Sequence, residues 1–346
     1  MAGKGLHCLS LSAGYVLQLG ILACLAVAVA VLCGHLALRV APPQPDLTHE
    51  RLVSSRQLGL LGGLWLLTSY GFFYEMDRGQ VDLYALVFAL LAVWLVVRRP
   101  TGSAWWPSLS LALAINIKAY PAVLAVVLLW RYRWRAVVPL LVTDLVLFLS
   151  AGPANVQRFL TTQSRLEGSG SFGWDNGSPV SLGATLHRLS EYGLSYSWPS
   201  WLGSALLVSS AAVWIVTLLL LMRGGWTAPR AVLASAACFP VMCTFPTLSE
   251  DYKLVLLVFP LTVLASLTAS LRRRGGPLWA VLFLAVAVEF FLLARSSLVI
   301  RPSLQGSKFA LVFGLQLLLL GAATLDRRSG KSGTTSAETP PARDPT

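Results

Sequence analysis

The chain has 346 residues, of which 55% are hydrophobic and only 12% charged, with a formal charge of +12 and a mean hydropathy of +0.68. Soluble globular proteins carry about 25% charged residues, so an ordinary soluble domain is excluded, and the continuous rather than alternating apolar runs exclude a β-barrel. In a soluble protein this charge would suggest nucleic acid; here the basic residues sit in short loops between apolar runs, where they set membrane topology, and no nucleic-acid partner is expected.

In chain order, apolar segments occur at 14–38, 58–74, 81–98, 106–117, 120–130, 135–151, 200–222, 230–246, 254–271, 277–298 and 308–325. Several approach the roughly 20 residues with which a helix crosses a bilayer. The predicted fold is all-α integral membrane, a polytopic helical bundle of about nine to eleven membrane segments. Residues 1–325 form this transmembrane domain, with one long outer loop at 152–199. The polar, Ser/Thr/Pro/Gly-rich stretch 326–346 predicts a disordered cytoplasmic tail.

The fourth and fifth segments together could form one spanning helix, but Lys118 lies in the middle and Pro121 follows it. A single crossing would also put Arg98-Arg99 and Arg131–Arg135 on opposite sides, against the positive-inside rule. Two short helices broken at Lys118–Pro121 keep both basic loops cytoplasmic. Proline cannot donate a helix hydrogen bond, and broken helices are tolerated in membranes where they line a polar cavity. Most of the 27 basic residues then fall on the cytoplasmic side. This topology puts the C-terminus inside and the N-terminus outside, with no export signal before Tyr15, which predicts that an N-terminal helix of related proteins is missing here.

On the outer side, the unusual polar residues converge. The loop after the second segment supplies Glu75, Asp77, Arg78, Gln80 and Asp82; the helix break supplies Asn116, Lys118 and Tyr120. The long loop supplies Asp175 and Asn176, and the loop after the eighth segment supplies Asp251, Tyr252 and Lys253. Taken singly, each has a plain reading. Asp77-Arg78 is a solvated pair, Lys118 snorkels to the interface, Asp175-Asn176-Gly177 is a turn and Asp251 is an interfacial cap. Taken together, cations that pair with phosphate, carboxylates that accept a proton and aromatics that stack on sugars suit a lipid-linked sugar donor. Asp144, Glu289 and Arg295 are intramembrane charges with no partner legible in the sequence. The five cysteines form no CxxC pair, the four histidines are scattered, and neither a metal site nor a cofactor is expected.

Two stretches carry a family resemblance. Tyr74-Glu75-Met76-Asp77-Arg78-Gly79-Gln80-Val81-Asp82-Leu83 and Leu111–Pro121, with its Asn116-Ile117-Lys118-Ala119-Tyr120-Pro121 end, resemble glycosyltransferase family 87, which includes polyprenol-phosphate-mannose-dependent α-mannosyltransferases. Asp175–Ser178 and Pro246–Tyr252 resemble later motifs of the family, and the likeness spans roughly 58–320. It implies a GT-C fold and transfer of a hexose, mannose above all, from a polyprenyl phosphate to a lipid or glycan hydroxyl on the extracytoplasmic face of the cell membrane. Arg78, Gln80, Asp82, Lys118, Tyr120, Asn176 and Tyr252 are then the expected substrate-binding residues. The family places its base carboxylate in the first outer loop, whereas here the first helix runs into Pro42-Pro43-Gln44-Pro45-Asp46 on the inner side. Three readings stay open. The chain lacks that loop; another carboxylate among Asp77, Glu75, Asp175 and Asp251 acts as base, with Asp77 favoured; or the protein is a non-catalytic relative. A transporter or flippase of lipid-linked sugars is the alternative from a different class. It is disfavoured because no second Arg-Gly-Gln or Lys-x-x-Pro betrays an internal repeat.

Overall fold

The computed structural model describes residues 11–40, 54–69, 72, 81–98, 102–150, 152–158, 161, 200–244, 251–275, 279–288, 290 and 307–332. The described residues are helical and contain no strand. The helices are α1 (Leu11–Val40), α2 (Ser55–Thr68), α3 (Asp82–Arg98), α4 (Trp105–Ile117), α5 (Ala125–Tyr132), α6 (Val137–Ser150), α7 (Ser200–Arg223), α8 (Ala228–Thr244), α9 (Val258–Gly275), α10 (Trp279–Val288) and α11 (Ser307–Ser332). Segments of 3-10 helix cover Tyr120–Leu124, Arg133–Ala136 and Asp251–Leu257.

The core is built around α8, whose residues from Ala231 to Thr244 are all buried. Its run Ala234-Ser235-Ala236-Ala237-Cys238 is made of small side chains, which let neighbouring backbones come close where lipid supplies no hydrophobic drive. Helices α1, α3, α7, α9 and α11 pack around it. Cys33, Cys238 and Cys243 are buried, as small core hydrophobes are. Outward faces are apolar instead of charged: Leu60 is 74% exposed, and Val138, Leu141, Val142, Leu145, Val146 and Leu149 line the outside of α6. Such faces are unfavourable in water and suit lipid.

Cross-helix contacts fix the direction of each helix. Gly34 lies beside Ser55 and Gly59, and Ala30 beside Gly59 and Gly63, so α1 and α2 are antiparallel. Ser110 donates to the Phe88 carbonyl at 2.9 Å, and Lys118 at the end of α4 meets Asp82 at the start of α3; the two contacts together make α3 and α4 antiparallel. Ser108 reaches the Ala136 carbonyl at 3.4 Å and Asn116 reaches Asp144 at 2.5 Å, so α6 runs parallel to α4. The short stretch between them therefore turns back, and Arg131–Arg135 returns to the level of the α4 start. Ser210 donates to Gln316 at 2.8 Å, and Arg230 pairs with Asp326 at 2.7 Å.

As a result, Arg98, Arg131, Arg133, Arg135, Arg223 and Arg230 gather at one end of the bundle. There, Arg131 lies 5.0 Å over the Trp226 ring, Trp130 meets Trp226 edge-on at 4.8 Å, and Arg98 lies 4.6 Å over Trp94. The opposite end carries the end of α2, the start of α3, the end of α4 and the end of α8.

Several element limits differ from expectation. Among the described residues, two helices are long and apolar enough on their own to cross a bilayer, Ala13–Val40 and Ser204–Arg223, while Ala228–Thr244, Leu254–Thr268, Trp279–Val288 and Leu311–Asp326 are shorter apolar helices of 10–17 residues. Helix α2 stops at Thr68, because Ser69 turns extended (ψ 138); residues 70, 71, 73 and 74 of that apolar segment lie outside the described residues. The Ser69 hydroxyl donates to the Leu66 carbonyl at 2.8 Å and accepts from the Phe72 N–H at 3.2 Å. Helix α11 runs through Asp326 to Ser332, past the expected start of the tail, and the ion pair to Arg230 ties that extension down. Residues 153–158 of the expected long loop are helical; residues 162–199, Glu289, Arg295 and the tail from 333 lie outside the described residues.

Candidate functional site

The expected break is present. Helix α4 ends at Ile117 and Lys118 caps it in extended backbone, φ −150 and ψ 133. The 3-10 segment then starts at Tyr120 with Pro121 in its first turn, a position where the missing N–H costs nothing. Pro121 cannot donate to the carbonyl four residues back, which favours a break at this point.

Three expected residues meet here. The Tyr120 hydroxyl donates to Asp82 Oδ1 at 2.5 Å, and the Lys118 ammonium lies 3.5 Å from Asp82 Oδ2. The Asp82 side chain has no exposed surface, while that of Lys118 is 26% exposed, so Lys118 is the member a substrate can reach. A buried carboxylate needs compensation. Asp82 has it from both partners and from its place in the first turn of α3, where the helix dipole favours negative charge. Lys118 is the mirror case, a cation at a helix C-terminus. Because α3 and α4 are antiparallel, these two helix ends lie side by side, and the pair satisfies both dipoles at once.

On the other flank of α4, Asn116 donates to Asp144 Oδ1 at 2.5 Å and to the Ala112 carbonyl at 3.0 Å. This partner for Asp144 was not legible in the sequence. The shared separation of 28 residues in Ser108–Ala136 and Asn116–Asp144 is a parallel register, which appears only once α5 is known to turn back.

The 3-10 segment Asp251–Leu257 packs against α3 and α8, and the segment Tyr120–Leu124 packs against the same two helices. This brings the backbone of Asp251 and Tyr252 to the same end of the bundle as the break. Cys238 of α8 lies 3.9 Å from the Val123 carbonyl. Glu75, Asp77, Arg78, Gln80, Asp175 and Asn176 lie outside the described residues.

No curated protein matches the chain, and no solved structure does. A family match runs over residues 6–249; it takes in α1, which the resemblance from residue 58 left out, and stops short of the expected limit near 320. With that match, an all-helical fold with apolar outward faces, and a polar break opposite a basic end, the chain belongs to glycosyltransferase family 87 and is a membrane glycosyltransferase acting on a sugar donor and an acceptor.

Proposed function

We propose that the protein is a multi-pass hexosyltransferase, most specifically a mannosyltransferase, that takes its sugar from a polyprenyl phosphate and passes it to a lipid or glycan hydroxyl on the extracytoplasmic face. The observation that carries this reading is the break at Lys118–Tyr120. It leaves a partly exposed ammonium held beside a buried carboxylate, at the end of the bundle opposite the cluster of Arg98, Arg131 and Arg230. A charged group at membrane depth marks a functional site by default, and an ammonium suits a phosphate diester. The basic end is cytoplasmic by the positive-inside rule, so the break faces the other compartment.

In this reading, Arg78 and Lys118 pair with the donor phosphate, and Gln80, Asn176 and Tyr252 contact donor or acceptor, whereas Asp82 and Tyr120, which the sequence also offered as substrate contacts, are buried and bonded to each other. Reaction is by inverting displacement. The acceptor oxygen attacks the anomeric carbon, the bond from that carbon to the phosphate oxygen breaks, and polyprenyl phosphate departs with its added negative charge. A carboxylate takes the acceptor proton; Asp77 is favoured, with Glu75, Asp175 and Asp251 as the other choices. Cations at the leaving phosphate lower the barrier most where charge builds up.

The test is transfer of radiolabel from a polyprenyl-phosphate mannose to membrane lipid or glycan by vesicles containing the protein. Label in the product supports the reading. Movement of the donor across the bilayer with no transfer overturns it in favour of a flippase.

A further inference from the structure

We infer that Asp82 is a positioning residue: from its fully buried place on α3 it clasps Lys118 and Tyr120 across the helix break, so that Lys118 meets an anionic phosphate from one fixed position. The inference rests on the proposed donor site for its consequence in catalysis, but not for its geometry.

The reasoning starts from the break itself. Lys118 sits in extended backbone between two helical segments, and a lysine has four rotatable side-chain bonds to place one point charge. Without a tether the ammonium would sweep a wide arc. Asp82 Oδ2 at 3.5 Å supplies the tether, and Tyr120 at 2.5 Å holds the other oxygen, so the carboxylate cannot swing. Tyr120 is itself buried, 9% exposed, and belongs to the segment beyond the break. The three residues thus join α3, the end of α4 and the start of the 3-10 turn into one rigid corner. An ammonium has three N–H donors, enough in number to hold Asp82 and a phosphate oxygen at once. Lys118 does not leave this pair freely, because doing so would strand a buried carboxylate.

Asp82→Asn removes the negative charge while an amide oxygen can still accept from Tyr120. It should therefore leave donor affinity within about threefold of the starting protein and lower turnover at least tenfold, a kcat effect without a KM effect. Lys118→Ala should instead raise KM.

The test has two readouts on the full chain in detergent or vesicles. The first is the rate at which Lys118 is acylated by a small amine-reactive reagent at one fixed pH, followed by mass spectrometry. Asp82→Asn should speed labelling of Lys118 at least fivefold over its rate in the unsubstituted protein, and Tyr120→Phe should speed it by a smaller factor. Labelling of Lys4 should not change. The second readout is kcat and KM for polyprenyl-phosphate mannose in Asp82→Asn, Tyr120→Phe and the double variant, with thermal melting to count folded protein. A double variant no slower than Asp82→Asn alone is the mark of one network.

Unchanged Lys118 labelling in folded Asp82→Asn, or in Tyr120→Phe if Asp82→Asn does not fold, overturns the inference. So does independent multiplication of the two turnover losses. Faster Lys118 labelling in a protein that transfers no sugar sinks the proposed function and leaves the clasp standing.

Discussion

At the scale of single residues, the corner at the break joins a carboxylate with no exposed side-chain surface to an ammonium that is partly exposed. Asp82 lies at the N-terminus of one helix and Lys118 at the C-terminus of its antiparallel neighbour, so each charge has a favourable dipole and an opposite charge. Removing either partner leaves the other uncompensated, and breaking such a buried pair costs about 3–5 kcal/mol. Asp82→Ala should thus lower the melting temperature clearly, while Asp82→Asn, which keeps the Tyr120 bond, should do so less; a detergent melting series measures both. In catalysis, Arg78→Ala and Lys118→Ala should each weaken donor use strongly, since losing one cation from a desolvated phosphate contact costs about 2–5 kcal/mol. Lys118→Arg should rescue only in part, because a planar guanidinium does not fit the space of an ammonium. The expected result is a raised KM for polyprenyl-phosphate mannose. For the base, Asp77→Asn should reduce turnover by on the order of 10²–10⁴-fold with donor binding nearly intact, the usual effect of removing a general base. An Asn variant that mainly loses donor affinity would instead assign Asp77 to orienting Arg78.

Among the elements, the seam between α1 and α2 depends on glycine. A Cβ on Gly34 would meet the Ser55 carbonyl and come within 2.7 Å of the Gly59 nitrogen and 2.9 Å of its Cα, all of it backbone that cannot step aside. A Cβ on Gly14, in the same helix, meets nothing within 4 Å. Gly34→Ala should therefore destabilise by about 1–3 kcal/mol through overpacking, whereas Gly14→Ala should be neutral or stabilising because alanine is the better helix former. Thermal melting of the two variants side by side checks this. The start of α2 is held by a capping box, in which Ser54 and Gln57 exchange hydrogen bonds at 2.8 and 3.2 Å, and Ser54→Ala should cost about 1 kcal/mol. The Asn116–Asp144 bond fastens α6 to α4. Interhelical polar bonds in membranes average only about 0.6 kcal/mol, so Asp144→Asn should alter stability little.

For the whole molecule, the basic end and the break lie at opposite poles because successive helices alternate in direction. Every described arginine with an aromatic partner, Arg98 over Trp94 and Arg131 over Trp226, is at the basic pole. The topology prediction follows directly: cysteines introduced as Arg135→Cys and Lys253→Cys should react with a membrane-impermeant maleimide from opposite sides of the bilayer. Labelling of both from one side would remove the extracytoplasmic assignment of the site.

Composition and the continuity of the apolar runs determined that the chain is a helical membrane protein, because so many apolar residues with so few charges suit lipid rather than water and runs without alternation suit helices rather than strands. The break at Lys118–Pro121 was also legible, since proline chemistry is local, and so was the return of Arg131–Arg135 to the side of Arg98, since charge cannot stay in lipid. The Arg-Gly-Gln and Lys-x-x-Pro stretches pointed to the family through resemblance. Tertiary structure alone decided the rest. Asp82 read as one more outer polar residue, and only the antiparallel packing of α3 on α4 buries it and brings it to Tyr120, 38 positions away in the chain. Asp144 had no visible partner until the hairpin through α5 set α6 parallel to α4. Sequence reports what each residue can do locally, in its helix or at its helix end. Which two helix ends become neighbours depends on packing summed over the whole bundle, and no local pattern encodes it.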